Sequence, residues 1–144
     1  MKQLVKGLLA MVIALTCLGV SSNNHSANAA TRHYTTIPVK LRGTWYRRDG
    51  YGFDKVVFSK YRFYFKGAEE THGTSIYGNH FHKYGMGHSD LFVTYYKNGY
   101  YDIGQYASDE WPFWKRNGAH ITQFMPGLGG PSHFYAYFKA SHFN

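Results

Sequence analysis

The hydrophobic positions of this chain follow two patterns, one near its start and one in the remainder. Residues 7–20 form an uninterrupted apolar run that carries no charge. After residue 30 the apolar positions are mostly aromatic, and they alternate with polar positions in short runs. In the run 61–66, for example, Phe63 and Phe65 are separated by polar side chains. A period of two is typical of strands that bury one face, so the second pattern predicts an all-β chain.

Short turn motifs separate these alternating runs. Asn98-Gly99 and Asn117-Gly118 each lie between two runs rich in aromatic residues. Both residue types tolerate the positive φ of a two-residue hairpin turn, so each pair predicts a β-hairpin. The segment 126–131 is too rich in Gly and Pro for a strand and is expected to be a loop. The predicted strands cover residues 42–48, 52–58, 61–67, 75–83, 90–97, 100–106, 111–116, 119–125 and 132–140.

Eight or nine consecutive hairpin strands would leave two exposed edges in an open sheet. Closure into a single antiparallel up-and-down barrel removes both edges, and we expect this architecture. In the last strand, Phe134, Ala136 and Phe138 alternate with more polar residues, which predicts that these three side chains face the interior.

The apolar run near the start is typical of a secretory signal peptide. Lys2 and Lys6 precede it, and its fourteen residues are fewer than the ~18–20 that a membrane span requires. Small residues in Ala27-Asn28-Ala29 suit signal peptidase and predict cleavage between Ala29 and Ala30. The alternative is lipidation at Cys17, although the preceding leucine lies one position too late for a lipobox. The expected organisation is a signal peptide, 1–29, and one domain, 30–144, that is secreted without a transmembrane anchor.

The expected cleavage would also remove Cys17 from the mature chain. Cys17 is the only cysteine, so the mature domain cannot form a disulfide. A secreted protein without cysteine suits a Gram-positive bacterium better than a eukaryotic secretory pathway. About 115 residues suffice for one hydrophobic core, and we expect a monomer.

Removing Lys2 and Lys6 lowers the formal charge of the chain from +8 to +6. The remaining excess of basic residues is concentrated between residues 30 and 66. An exported protein meets few nucleic acids, so wall polyanions, glycopolymers or anionic lipid headgroups are the expected partners; a solvated basic surface is the alternative. The predicted polyanion-binding residues are Arg42, Arg47, Arg48, Lys60, Arg62 and Lys66.

Gly43-Thr44-Trp45, at the first predicted strand, resembles the signature of the lipocalin or calycin family. The resemblance implies an eight-stranded barrel whose closed end is plugged by Trp45 packed against a basic residue of the last strand, here Lys139. The stretch 37–46, IPVKLRGTWY, is also similar to the start of small secreted proteins of lactobacilli, which are largely uncharacterised.

A calycin-like barrel would hold a small apolar ligand inside, which is the alternative to polyanion or glycopolymer binding on the outer surface. The residues expected to line such a cavity are Phe63, Phe65, Leu91, Val93, Phe134 and Phe138.

Histidine provides a further possible chemistry. His80 and His82 lie two residues apart, so a strand would place both rings on one side, and His88 follows in a neighbouring loop. Such a set suits Zn²⁺ or Cu²⁺, and haem is a related alternative, but polar surface residues share this spacing. We therefore expect no cofactor, with a histidine-bound metal as the alternative.

The many tyrosines suit either a core or a sugar-binding surface, with Tyr95, Tyr96 and Tyr100 around one hairpin and Trp111 and Trp114 near a pair of carboxylates. The sequence contains no motif of the common secreted hydrolases, and the expectation is a protein without enzymatic activity. A lipocalin-fold enzyme is the alternative that the calycin resemblance leaves open.

Overall fold

The computed structural model describes residues 32–81, 87–109, 112–127 and 129–144. The predicted signal peptide and its cleavage site, Ala29 and Ala30, lie outside these residues. Two short 3₁₀ helices, Val39–Leu41 and Ala140–His142, flank a series of strands. The strands are β1 (Gly43–Asp49), β2 (Gly52–Phe58), β3 (Arg62–Lys66), β4 (Thr74–Tyr77), β5 (Leu91–Tyr95), β6 (Tyr101–Gln105), β7 (Phe113–Asn117), β8 (His120–Met125) and β9 (His133–Tyr137).

The strands form two antiparallel sheets, and the prediction of an all-β chain is confirmed. Strands β1 to β4 make a four-stranded sheet, and β5 to β9 make a five-stranded sheet, each in sequence order. Isolated bridges link them: Tyr46 and Phe138 exchange two backbone hydrogen bonds, of 2.8 and 2.7 Å, and Phe81 pairs with Ser89. Within the described residues these bridges do not amount to a closed barrel. None of the helices in the described part of the chain is long and apolar enough to cross a membrane.

The hairpin turns follow the predicted sites, with one shift of register. Asn98 and Gly99 have φ angles of 53° and 83°, as a type I′ turn requires. In the second hairpin Asn117 pairs with His120, so the turn is centred on Gly118 and Ala119 and not on Asn117-Gly118. Gly118 takes the positive φ, 53°, which is the arrangement of a type II′ turn.

The predicted strand 75–83 is too long, because β4 ends at Tyr77. The backbone N–H of the next residue, Gly78, donates a hydrogen bond to the carbonyl oxygen of Tyr61. The carbonyl oxygen of Gly78 accepts a hydrogen bond from the N–H of Thr35. A Cβ atom at Gly78 would lie 1.9 Å from the carbonyl oxygen of Thr35, so this crossing of the N-terminal segment requires glycine. The sequence gives no local sign of a contact between residues so far apart.

Aromatic side chains from both sheets fill the space between them. Phe58 stacks on Phe63 with ring centroids 5.3 Å apart, and both rings contact Trp114 edge-on. Trp45 and Trp114 are 0% exposed. Burial of such large rings stabilises a fold by about 2–3 kcal/mol each, so a cysteine-free domain can hold together on this cluster.

The residues expected to line a cavity divide between this core and the surface. Phe63 and Leu91 are buried in the core, and Phe65 and Val93 pack against it. The expected placement of Phe134 in the interior is wrong, because Phe134 is 64% exposed. Phe138 lies on the same side of its strand and stacks on His142.

The faces of β9 are the reverse of the predicted ones. Tyr137 points inward and is 1% exposed, while Ala136 is exposed. The buried phenol is accommodated because its hydroxyl donates a 3.0 Å hydrogen bond to Oε1 of Gln123. A hydrogen-bonded tyrosine can therefore take an interior position that hydropathy assigns to phenylalanine.

An ion pair lies beside Tyr137 in the interior. Nε of Arg47 donates to Oδ2 of Asp54 at 2.7 Å, and Nη2 makes a second contact with the same oxygen. Asp54 is 4% exposed, and its other oxygen accepts the backbone proton of Ala68. Arg47 also lies over the ring of Tyr135, with Cζ 4.2 Å from the centroid. This end of the core is thus closed by satisfied polar groups.

Tyr137→Phe should change how stability depends on pH. Burial raises the pKa of the Tyr137 phenol, and the nearby Arg47 opposes that rise. The unfolded chain ionises this group near pH ~10, whereas the folded chain keeps it neutral, so its stabilisation is complete below pH ~10 and declines above it, by up to ~1.4 kcal/mol per pH unit. At pH 7 we expect the free energy of unfolding of the variant to be about 1 kcal/mol below that of the parent, because the hydrogen bond is removed. Above pH ~10 the free energy of unfolding should fall less steeply in the variant than in the parent. Urea unfolding across this range checks the expectation, and parallel curves would contradict it.

Candidate functional site

The outer face of the four-stranded sheet carries basic and aromatic side chains side by side. Trp45, Val56 and Phe63 point to the core, so alternation turns their neighbours outward. We call these outward residues the basic sheet face. Its members are Arg48, Lys55, Arg62 and Lys66 together with Tyr46, Phe53, Tyr64 and Tyr77.

This face contains no carboxylate. The two acidic residues of its strands, Asp49 and Asp54, both pair with Arg47 and not with an outward base. Within the described ranges, Arg47 is the only base that forms an ion pair. The outward cations therefore keep their charge available to a partner.

Lys55 and Lys66 lie directly opposite each other on neighbouring strands. Like charges at such a cross-strand position destabilise a sheet, by a few tenths of a kcal/mol up to about 1 kcal/mol. No described carboxylate offsets this repulsion. Local costs of this kind occur at functional sites, where a bound partner can supply the missing charge.

Tyrosine rings orient other cations of this region. The guanidinium carbon of Arg62 lies 5.9 Å from the centroid of Tyr64. At the turn between β2 and β3, Nζ of Lys60 lies 4.7 Å from the centroid of Tyr61. A ring contacts a cation through its face and uses none of its hydrogen-bond donors, so these donors stay accessible to anionic groups.

The predicted polyanion-binding residues do not all meet on this surface. Arg48, Arg62 and Lys66 belong to the basic sheet face, and Lys60 lies at the turn beside it. Nε of Arg42 donates to the carbonyl oxygen of Ile37 at 3.0 Å, away from the face.

Arg47 was expected on the polyanion-binding surface, and this placement is wrong because its side chain points inward to Asp54. Lys55 was missed. Lys55 lies on the same side of the sheet as the outward Arg48 and Arg62, but this follows only from the register of β1, β2 and β3.

The five-stranded sheet carries a different outer surface, which we call the aromatic row. Its members are successive cross-strand partners: Asp102, Phe113, Phe124 and Phe134. Phe124 stacks on Phe134 with centroids 4.8 Å apart, and Phe113 follows at 5.8 Å. Phe113 is only 7% exposed and packs against Tyr96, so the accessible rings of the row are Phe124 and Phe134, and the carboxylate of Asp102 lies beyond Phe113.

A groove of about 360 Å³ adjoins the carboxylate end of this row. Phe92, Asp102 and Ala107 contribute to its walls. Burial raises the pKa of the Asp102 carboxyl. Ala107 has a φ of 59°, a left-handed conformation that is uncommon for alanine and is found at turns and binding sites. The groove thus combines an aromatic wall with one half-buried acid.

Gly43, Trp45 and Lys139 lie together at one end of the molecule. Nζ of Lys139 is 3.6 Å from the ring centroid of Trp45, whose indole nitrogen donates to the carbonyl oxygen of Leu41 at 2.9 Å. Gly43 has a φ of 134°, and a Cβ there would lie 2.3 Å from Nζ of Lys139. The glycine therefore leaves space for the ammonium group over the indole.

The histidines considered for metal binding contact tyrosine rings. His80 stacks on Tyr77 at 4.4 Å and His88 on Tyr106 at 4.9 Å, while His82 lies outside the described residues. Among the side chains that the structure describes, no group of three His, Cys, Asp or Glu could hold a metal. A site that includes His82 stays a prediction.

The aromatic residues considered for sugar binding take different positions. Tyr95 and Tyr96 are 58% and 43% exposed, and Tyr100 packs against Phe124. Trp114 belongs to the core, which decides between the two alternatives for this residue, and Trp111 lies outside the described residues.

Comparison of the chain with family models, with curated proteins and with solved structures found no match in any of the three.

Proposed function

We propose that this chain is a secreted, non-enzymatic protein of a Gram-positive bacterium that binds anionic wall glycopolymers through the basic sheet face. The carrying observation is the direct opposition of Lys55 and Lys66 on a face without a carboxylate. A phosphodiester group between the two ammonium groups would replace their repulsion by attraction to a shared anion. Binding would then favour the folded sheet.

The neighbouring residues extend this surface along the strands. Arg48 and Arg62 place further positive charge on the same face, and Lys60 adds charge at the turn. Phe53, which is 46% exposed, offers a ring on which sugar or polyol units of a glycopolymer can pack. A polymer that alternates phosphate with such units would match both components of the face.

We also propose that the two sheets act as one calycin-like barrel plugged at Trp45. The bridges Tyr46–Phe138 and Phe81–Ser89, at opposite edges of the sheets, support this architecture. The ring cluster between the sheets favours an outer-surface function over the alternative of a small apolar ligand inside.

The double variant Lys55→Gln, Lys66→Gln tests the proposed function. We expect binding to purified walls, or to poly(glycerol phosphate), to weaken about 30-fold at low salt, since each surface cation contributes ~1 kcal/mol toward an anionic partner. Its free energy of unfolding should stay equal or rise by up to ~0.5 kcal/mol, because the repulsion is removed. Sedimentation with walls across a salt series, and urea unfolding, measure both effects.

The matched control is Lys97→Gln, Lys115→Gln. It removes the same charge from the region of the five-stranded sheet, where Lys97 lies over Tyr96 and Lys115 lies over Tyr100. Equal weakening in both double variants would show attraction by net charge alone and contradict a specific face. Retention that is insensitive to salt would contradict polyanion binding altogether.

The aromatic row supports neutral sugar binding as a second candidate. Sugar rings stack on exposed aromatic faces, and the carboxylate of Asp102 could accept hydrogen bonds from sugar hydroxyl groups at the end of the row. The same sedimentation assay should therefore also be carried out with a neutral wall polysaccharide. Binding of this polysaccharide that survives high salt and is lost in Phe134→Ala would assign the function to the aromatic row instead.

A further inference from the structure

Two cations share the ring of Trp45. Lys139, just after β9, places Nζ 3.6 Å from the ring centroid, and Arg116, near the end of β7, places Cζ at 4.5 Å. Both residues are partly exposed, whereas Trp45 is fully buried. Two partly exposed cations therefore contact one fully buried ring.

One cation would suffice to cap an indole, so the presence of the second needs another explanation. Burial lowers the pKa of the Lys139 ammonium, and the charge of Arg116 lowers it further. Neither residue pairs with a carboxylate among the described residues. Arg116 uses Nε to bind the carbonyl oxygen of Gly118 at 2.5 Å, which fixes the guanidinium and leaves its terminal nitrogens for another acceptor.

We propose that Lys139 and Arg116 form a binding site for a compact phosphate-type oxyanion at the Trp45 end of the molecule. Such an anion would neutralise both charges at once, and a tetrahedral group presents several oxygens to ammonium and guanidinium donors. The backbone supports the site, because Gly43 leaves room for Nζ and the Leu41 carbonyl fixes the indole. This site is separate from the basic sheet face and does not depend on the proposed polymer binding.

Inorganic phosphate is the probe for this site. The indole N–H of Trp45, followed by NMR, should shift saturably with phosphate at constant ionic strength and not with chloride. Lys139→Met keeps an apolar chain on the ring but removes the charge, and we expect phosphate to bind at least ~10-fold more weakly to it. Lys115→Met, which removes a similar charge beside Tyr100, should bind phosphate like the parent.

Further arms separate the possible outcomes. Arg116→Gln provides a second test if Lys139→Met fails to fold, and it too should weaken phosphate binding. Glycerol phosphate that binds as well as free phosphate would indicate a monoester end group as the natural ligand, whereas weaker binding would indicate the free ion. A shift that does not saturate, or equal affinity in the parent and in both site variants, would overturn the proposal.

Discussion

Asp54→Asn should lower the free energy of unfolding by about 3 kcal/mol, since it leaves the guanidinium of Arg47 inside without its main counter-charge. The side chains of Arg47 and Asp54 are only 22% and 6% exposed, so water can replace the lost carboxylate only in part. The expected loss lies at the lower end of the range for buried pairs because Arg47 retains some access to solvent. Urea unfolding with an unchanged slope would measure it.

Asp49→Asn is the matched control for this prediction. Asp49 contacts the same Nη2 of Arg47 at 3.2 Å, but its side chain is 37% exposed. An ion pair with this exposure contributes at most about 1 kcal/mol. Equal losses in the two variants would show that Arg47 does not discriminate between its partners and that the interior pair has no special weight.

The strands could be predicted from sequence because each depends on neighbouring residues. The Asn98-Gly99 turn fixes one hairpin through backbone conformation alone, since both residues adopt positive φ. Long-range contacts carry no such local signal. The pairing of Tyr46 with Phe138 and the crossing of Thr35 over Gly78 join segments that are far apart in sequence. Strand positions were therefore predictable, whereas the relation between the sheets was not.

Hydropathy failed where polar side chains satisfy each other inside the fold. The mean preference of phenylalanine for the interior predicted an inward Phe134, but the structure buries Tyr137, which bonds to Gln123. In the same way, charge alone assigned Arg47 to the surface, although Asp54 holds it inside. Both errors come from assessing a residue without its partner, and pairwise satisfaction decides burial for such groups.

The candidate site was predictable to a similar extent. The excess of basic residues between residues 30 and 66 predicted an anionic partner, and Arg48, Arg62 and Lys66 share one face of the four-stranded sheet. Lys55 was missed because its position opposite Lys66 follows from strand register. Only one of the two cations on Trp45 could be predicted. The calycin resemblance implied Lys139 as the partner of Trp45, but no local sequence pattern pointed to Arg116.

Trp45→Ala should lower the free energy of unfolding by about 4 kcal/mol. The change removes a ring that is 0% exposed, opens a cavity between the sheets and ends the 2.9 Å hydrogen bond to Leu41. Trp45→Phe is the control: it keeps a ring under Lys139 but lacks the indole donor, so about half of the loss is expected. Far-ultraviolet circular dichroism during urea unfolding provides the measurement, because it reports the loss of backbone strand structure in every variant.

Combination of Trp45→Ala with Lys139→Met separates the contribution of the indole from that of the cation. If the ammonium stabilises the fold through the ring, the Trp45→Ala and Lys139→Met changes will show a coupling of about 1 kcal/mol in a double-mutant cycle. Arg116 contacts the same ring, so introducing Arg116→Gln into every variant of the cycle leaves the ring to Lys139, and the coupling should then grow. A coupling that Arg116→Gln does not alter would mean that Lys139 contacts the indole independently of Arg116.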